Sequence, residues 1–232
     1  MLNLRSRIGA MTLAAAAFFS AGAANAAIVI GSSSGEFESY SNCIGICSIN
    51  NGGKELSWGL NFSGDRSTLT SVNTSWSEGT DANDVVLAEL VWRNASTLPF
   101  LTPVLFNAIF NLDFNFSAPG GASDSTSFEL AIFNSILLGD AVTALSMNNL
   151  AGLIFELDGV TVSDIKFDLA GDGDGDIIGG IWYNPEGGTS TMRITADFTE
   201  VVVAEVPEPA SLALLGAGLL GVAMLRRRRN PV

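Results

Sequence analysis

The stretch from Val104 to Phe116 limits the fold more than any other. Its even positions are Val104, Phe106, Ala108, Phe110, Leu112, Phe114 and Phe116, and its odd positions include Asn107, Asn111, Asp113 and Asn115. A period of two puts every even side chain on one face of an extended strand, whereas a helix would scatter the aromatics around its circumference. Pro99 and Pro103 set the start of this strand, and Ala118-Pro119-Gly120-Gly121 ends it. A strand with one apolar face needs a second layer to cover that face.

The rest of the chain supplies shorter runs of the same kind. Leu56–Phe62, Ser67–Val72, Val85–Trp92, Phe128–Phe133 and Leu153–Leu157 read as strands. Asp158-Gly159 is a hairpin turn before Val160–Leu169. Ile177–Tyr183 leads to a turn at Asn184–Gly188, and Thr191–Val203 is the last strand, with Met192, Ile194, Ala196 and Phe198 on one face. Gly31–Gly53 is rich in Ser, Gly and Asn and reads as a loose lead-in or irregular edge strand. Asn73–Asp84 reads as a polar loop carrying Trp76, and Ile136–Leu150 as a short helix or a broken strand. Short alternating runs, glycine-rich turns and little helix predict one all-β domain, a β-sandwich or jelly-roll-like fold.

The two ends do not belong to that domain. Arg5 and Arg7, the apolar run Ile8–Phe19 and Ala24-Asn25-Ala26 follow the order of a signal peptide, which predicts cleavage between Ala26 and Ala27. The basic segment holds no Arg-Arg pair, so the Sec translocon is the expected route. At the other end, Val206-Pro207-Glu208-Pro209 is stiffened by its prolines. Leu212–Leu225 is uncharged and, as a helix, spans about 21 Å, short of the ~30 Å hydrocarbon core. Arg226, Arg227, Arg228 and Arg229 close it and would hold that end in the cytoplasm as a stop to transfer.

This tail resembles the PEP-CTERM sorting signal of Gram-negative bacteria. The resemblance rests on Pro207-Glu208-Pro209, Leu212–Leu225 and Arg226–Arg229 in fixed order. It implies recognition by an exosortase, removal of the tail after transient anchoring in the inner membrane, and a surface or exopolysaccharide-associated destination. The alternative is an ordinary C-terminal membrane anchor. The expected division is therefore a signal peptide over 1–26, a secreted domain over 27–205 and a sorting segment over 206–232.

Charge and composition narrow what the domain can do. Between Ala27 and Glu205 there are 5 basic and 23 acidic residues, a net charge of −18. Such a surface repels nucleic acid and anionic lipid. No histidine occurs anywhere, so Ser-His-Asp and Cys-His chemistry and histidine metal ligands are excluded. Cys43 and Cys47, in an exported chain, are expected to form a small disulfide clip through Ile44-Gly45-Ile46. Asp172, Asp174 and Asp176 have the spacing that opens an EF-hand loop, but Ile177 and Tyr183 stand where that loop needs glycine and glutamate. A different calcium loop or a solvated acidic turn remains.

Trp58, Trp76, Trp92 and Trp182 are candidates for sugar stacking, with Trp76 the best placed; the alternative is core packing. Asp140 and Glu186 are a candidate carboxylate pair for glycoside hydrolysis, though nothing in the sequence fixes their separation. The N-x-S/T matches at Asn61, Asn73, Asn94 and Asn115 carry no information in a bacterial context. The domain also resembles the THxN and choice-of-anchor K type of PEP-CTERM proteins, through Ser57-Trp58-Gly59, Ser67–Leu69, Leu90–Asn94, Val104–Phe116, Phe155–Gly159 and Pro185–Gly188. Where that family has Thr-His-x-Asn, this chain has Val91-Trp92-Arg93-Asn94 and keeps only the asparagine. The expectation is a non-enzymatic exported surface or matrix protein. The competing reading is a calcium-dependent carbohydrate-binding module or adhesin.

Overall fold

The alternating run folds as the long strand β7 (Leu105–Ala118), whose even residues from Phe106 to Phe116 are buried. The computed structural model describes residues 27–43, 46–98, 102–135, 139–144, 150, 153, 155–171, 173–201 and 219. From β7 the chain turns through Pro119–Gly121 into β8 (Ala122–Phe133), paired antiparallel from Phe116 opposite Ala122 to Leu105 opposite Phe133. On the other flank of β7 lies β1 (Ile28–Ser41), and β5 (Thr74–Gly79) pairs with the first part of β1. Beyond β8 come β9 (Asp140–Ala144), β13 (Ile181–Asn184) and β12 (Asp176–Ile178). The resulting sheet runs β12-β13-β9-β8-β7-β1-β5.

A second antiparallel sheet covers its inner face. Its strands are β2 (Cys47–Asn50), β3 (Glu55–Trp58), β4 (Ser67–Val72), β6 (Val85–Arg93), β10 (Glu156–Leu157), β11 (Val160–Leu169) and β14 (Thr189–Glu200), in the order β10-β11-β14-β6-β4-β3-β2. Each inner face alternates with a solvated one, as a two-layer sandwich requires. The core sits where Phe106, Phe110, Phe114, Phe116 and Phe128 meet Leu56, Trp58, Leu69, Leu87, Trp92, Ile194 and Phe198. Rings bridge the layers, with Trp58 and Phe106 at 5.6 Å and Phe116 and Phe198 at 6.3 Å between centroids. Removing each such side chain from water stabilises the fold by about 1.5–3 kcal/mol. The all-β sandwich expected from the alternation is the fold observed.

Three local expectations need correcting, and a fourth, left open, is resolved. The stretch read as a loose lead-in or irregular edge strand contains β1, which lies inside the first sheet and pairs on both sides, and β2, which is an edge strand of the second. The inward positions of β1 are Val29, Gly31, Ser33, Gly35 and Phe37, so the period of two is present but carried largely by small residues. They are small because large neighbours occupy the space: a Cβ on Gly31 would collide with the Trp76 ring, and one on Gly35 with the Phe110 ring. The loop read over 73–84 contains β5, and Trp76 is its buried residue. Ile177–Tyr183 is two strands rather than one, folded at Gly179 and Gly180, whose φ values of 60° and 80° suit a two-residue hairpin loop. The ambiguous 136–150 region holds the strand β9 and a helical residue at Leu150; 136–138 and 145–149 lie outside the described residues.

The topology also sets where the chain enters and leaves. Ile28 pairs with Gly79, and Ile30 pairs with Ala118 beside the turn to β8. The same end carries Asp158, whose N–H donates to Pro119, and Val201, whose N–H donates to the Gly159 carbonyl at 2.8 Å. Both exits from the sandwich are therefore at one end, and Asn94, Asp140 and Asn184 lie at the other. Among the described residues no helix is long and apolar enough to cross a membrane. The expected signal peptide, and the tail apart from the exposed helical Leu219, lie outside the described residues.

Candidate functional site

The acidic loop is tied to the start of β14. Asp174 donates its N–H to the Thr189 carbonyl at 2.9 Å, and its Oδ2 accepts the Thr189 N–H at 3.1 Å. Gly173 and Gly175 pack so closely on Thr189 and Ser190 that side chains there would collide. Asp176 lies in β12 opposite Tyr183, and Asp172 lies outside the described residues. One oxygen of Asp174 is thus engaged in fastening the loop.

Carboxylates do converge elsewhere. Asp84, Asp164 and Asp197 bring carboxylate oxygens within 4.8 Å of one another. These residues are far apart in sequence, and only the pairing of β11 with β14 and of β14 with β6 unites them. Asp84 and Asp164 both adopt the left-handed backbone region, with φ of 52° and 50°. The Lys166 ammonium lies against the trio, 2.8 Å from Asp84 and 2.7 Å from Asp164. Hydrogen bonds to Asp164 and Asp84 push the lysine above its ordinary range. The Asp84 N–H donates to Asp197 Oδ1 at 2.8 Å. Lys166 therefore fills the role that a cation would take, and no sequence spacing announced it.

The four tryptophans form no exposed platform. Trp58, Trp92 and Trp182 are wholly interior, with Trp92 5.1 Å from Trp182 and 6.4 Å from Trp58 between centroids. Trp76, expected to be the best binding residue, packs over Gly31 and edge-on to Phe116 at 5.2 Å. It sits in a strand whose partner leaves room for the indole.

Asp140 and Glu186 are brought near each other at the end away from the chain exits. Asp140 is only 1% exposed and faces inward, while Glu186 is at the surface in the β13–β14 turn. Burial pushes the Asp140 carboxyl up to about 7; the Ser135 N–H opposes this, Glu186 adds to it, and the Asn94 amide helps the charged form least. Burial also raises Glu186, against hydrogen bonds from Ser96 and the Thr97 N–H. The Asp140 carboxyl faces the sandwich interior.

Asn94 is fully buried and ties three segments together. Its N–H donates to Gly188 at 2.9 Å, its carbonyl accepts the Gly187 N–H at 2.8 Å, and its side-chain amide donates to Asn184 O at 2.9 Å. Its Oδ1 accepts the Ser67 hydroxyl at 3.2 Å. Asn94 is thus a fastening point between β6 and the β13–β14 turn. Cys43 and Cys47 are joined by a disulfide with Cα atoms 6.3 Å apart, and the Tyr40 hydroxyl donates to the Cys47 carbonyl at 3.1 Å.

The family model of the PEP-CTERM protein-sorting motif matches residues 205–229. This chain carries a PEP-CTERM sorting motif. The match covers Pro207-Glu208-Pro209, the apolar run and Arg226–Arg229, and it begins shortly after β14 ends at Glu200. The motif implies an exosortase as the processing partner and fits a secreted or cell-surface protein. No curated protein matches the chain.

Proposed function

We propose that the chain is a non-enzymatic cargo protein of a Gram-negative bacterium. Its β-sandwich is exported through the Sec translocon and delivered to the cell surface or the exopolysaccharide matrix. The observation that carries this reading is the PEP-CTERM motif at 205–229, placed directly after the last strand. In the proposed sequence of events the signal peptide starts export, and Leu212–Leu225 halts it. Four consecutive arginines are costly to move through a bilayer core. The sandwich then stands outside, Arg226–Arg229 remain inside, and Pro207-Glu208-Pro209 lies extended at the outer face within reach of an exosortase. Cutting there releases or transfers the domain, and the apolar run stays in the inner membrane.

Mass spectrometry of the mature protein from a host with an active exosortase tests this. The expected C-terminus lies near Val206–Ser211, without any peptide containing Arg226–Arg229. An intact tail on surface-localised protein would identify a plain membrane anchor instead.

A further inference from the structure

Asp140 and Asn184 are direct cross-strand partners in the β9–β13 ladder. Directly opposed residues place their Cβ atoms about 5 Å apart. Asp140 Oδ1 accepts the Ser135 N–H at 2.8 Å. Asp140 Oδ2 and Asn184 Oδ1 are both buried and meet no hydrogen-bond donor among the described residues. The Asn184 amide cannot turn to change this. Its nitrogen is committed to two carbonyls, Trp92 at 3.0 Å and Gly188 at 3.3 Å. The Asn94 amide donates to the carbonyls of Asn184 and Pro185 and gives the Asp140 carboxylate only the smallest of the influences on it. Two acceptor oxygens are therefore left unanswered on adjacent residues, in a place where an unpaired polar atom is costly.

We propose that Asp140 is a proton-operated latch: neutral, it donates its carboxylic O–H to Asn184 Oδ1 and closes the end of the sandwich away from the tail; ionised, it loosens that end. One proton satisfies both orphaned oxygens at once. The ionised form leaves a buried charge supported, among the described residues, by the Ser135 N–H and least by the Asn94 amide, with a like charge nearby.

The surroundings of Asp140 favour the neutral form. Glu186, in the turn after β13, is the charged group that bears on it among the described residues. β8 presents Ile132 and Phe133 beside β9, and β13 presents Asn184 and Tyr183. At the end of β6, Asn94 is uncharged and Arg93 turns to Asp65 at 3.6 Å. Among the described residues no cation is in place to hold the carboxylate. The segment that would loosen is the turn from Asn184 to Gly188, because Asn184, which accepts the carboxylic O–H, is one of the points at which that turn is tied to Asn94.

The direction of the pH effect follows from burial, which lifts the folded carboxyl from 3.8 to about 7. Between those values the folded protein keeps a proton that the unfolded chain has lost. Stability therefore falls as pH rises through that window, is unaffected by this group below it, and is level above it.

Carbon-13 NMR of the Asp140 carboxyl in the full folded domain, titrated from pH 4 to 9, tests the latch directly. The expected midpoint lies near 7, and Glu186→Gln should lower it. Thermal melts at pH 5 and pH 8 supply a second reading. The wild type should melt several degrees lower at pH 8, whereas Asp140→Asn, whose amide can donate to Asn184 without titrating, should lose that difference. A midpoint in the ordinary carboxylate range, or a pH 5 to 8 difference kept in Asp140→Asn, overturns the proposal. So does a calcium-induced shift of the Asp140 resonance, which would show that a cation and not a proton answers the two oxygens.

Discussion

The side-chain amide of Asn94 donates to the backbone carbonyl of Asn184 at 2.9 Å, and the side-chain amide of Asn184 donates back to the carbonyl of Trp92 at 3.0 Å. The two asparagines thus stitch the end of β6 to the end of β13, across the two sheets. Both are fully buried, so no water can replace a lost partner. Asn94→Ala should lower the unfolding free energy by about 3 kcal/mol, because it removes the side-chain amide from the buried carbonyls of Asn184 and Pro185. Urea melts check this: the midpoint should drop while the slope stays constant.

Gly31 and Trp76 give a second test. A Cβ at Gly31 would strike the indole and lie 2.8 Å from the Asn115 carbonyl, which cannot yield easily. Gly31→Ala should cost about 1–3 kcal/mol and shift the Trp76 fluorescence as the ring is displaced. Gly52→Ala is the contrast: nothing lies near its Cβ, and its φ of 63° should confine the loss to about 1 kcal/mol.

The sorting segment should fail in two distinguishable ways. Replacing Arg226–Arg229 with neutral residues should make the stop leaky, so that tailed protein appears beyond the inner membrane. Replacing Pro207 and Glu208 should leave the chain uncut and membrane-bound. Fractionation followed by mass spectrometry of the C-terminus separates these outcomes.

Lys166 should govern any calcium response of the Asp84–Asp164–Asp197 trio. In the wild type its ammonium already answers Asp84 and Asp164 at 2.8 and 2.7 Å. Lys166→Met frees the Asp84 and Asp164 carboxylates beside Asp197, so millimolar calcium should raise the melting temperature of this variant by mass action. The wild type should gain less. Asp174→Asn tests the acidic loop separately: it removes the charge while an amide oxygen can still accept the Thr189 N–H, and a calcium response that disappears with it would assign the ion to that loop.

The sequence discloses elements whose buried positions are filled by large apolar side chains. β7 was legible because Phe106, Phe110, Phe114 and Phe116 mark its inner face, and β14 because Met192, Ile194, Ala196 and Phe198 do the same. β1 was not, because its inner face is Gly31, Ser33 and Gly35, and their smallness makes sense only beside Trp76 and Phe110. Trp76 was misread for the same reason, since the polar residues around it are the outward half of β5. The sorting motif was fully legible, being local and ordered along the chain. The Asp84–Asp164–Asp197 trio and the Asp140–Asn184 pair were not, because each depends on register between strands distant in sequence.

The position of β14 has a mechanical consequence. The strand is bonded along its length to β6 on one side and to β11 on the other, and its last residues lead directly into the tail. While the tail is held and the sandwich is dragged by flow or by a clinging polymer, the tension runs along β14. Both ladders are then loaded lengthwise, and their hydrogen bonds must break together rather than peel one at a time. Pulling Ile28 and Glu200 apart is different: they lie at the same end of the molecule, so that force would pry strands open from their tips. The fold resists tension applied along β14 and yields more easily to force that parts Ile28 from Glu200.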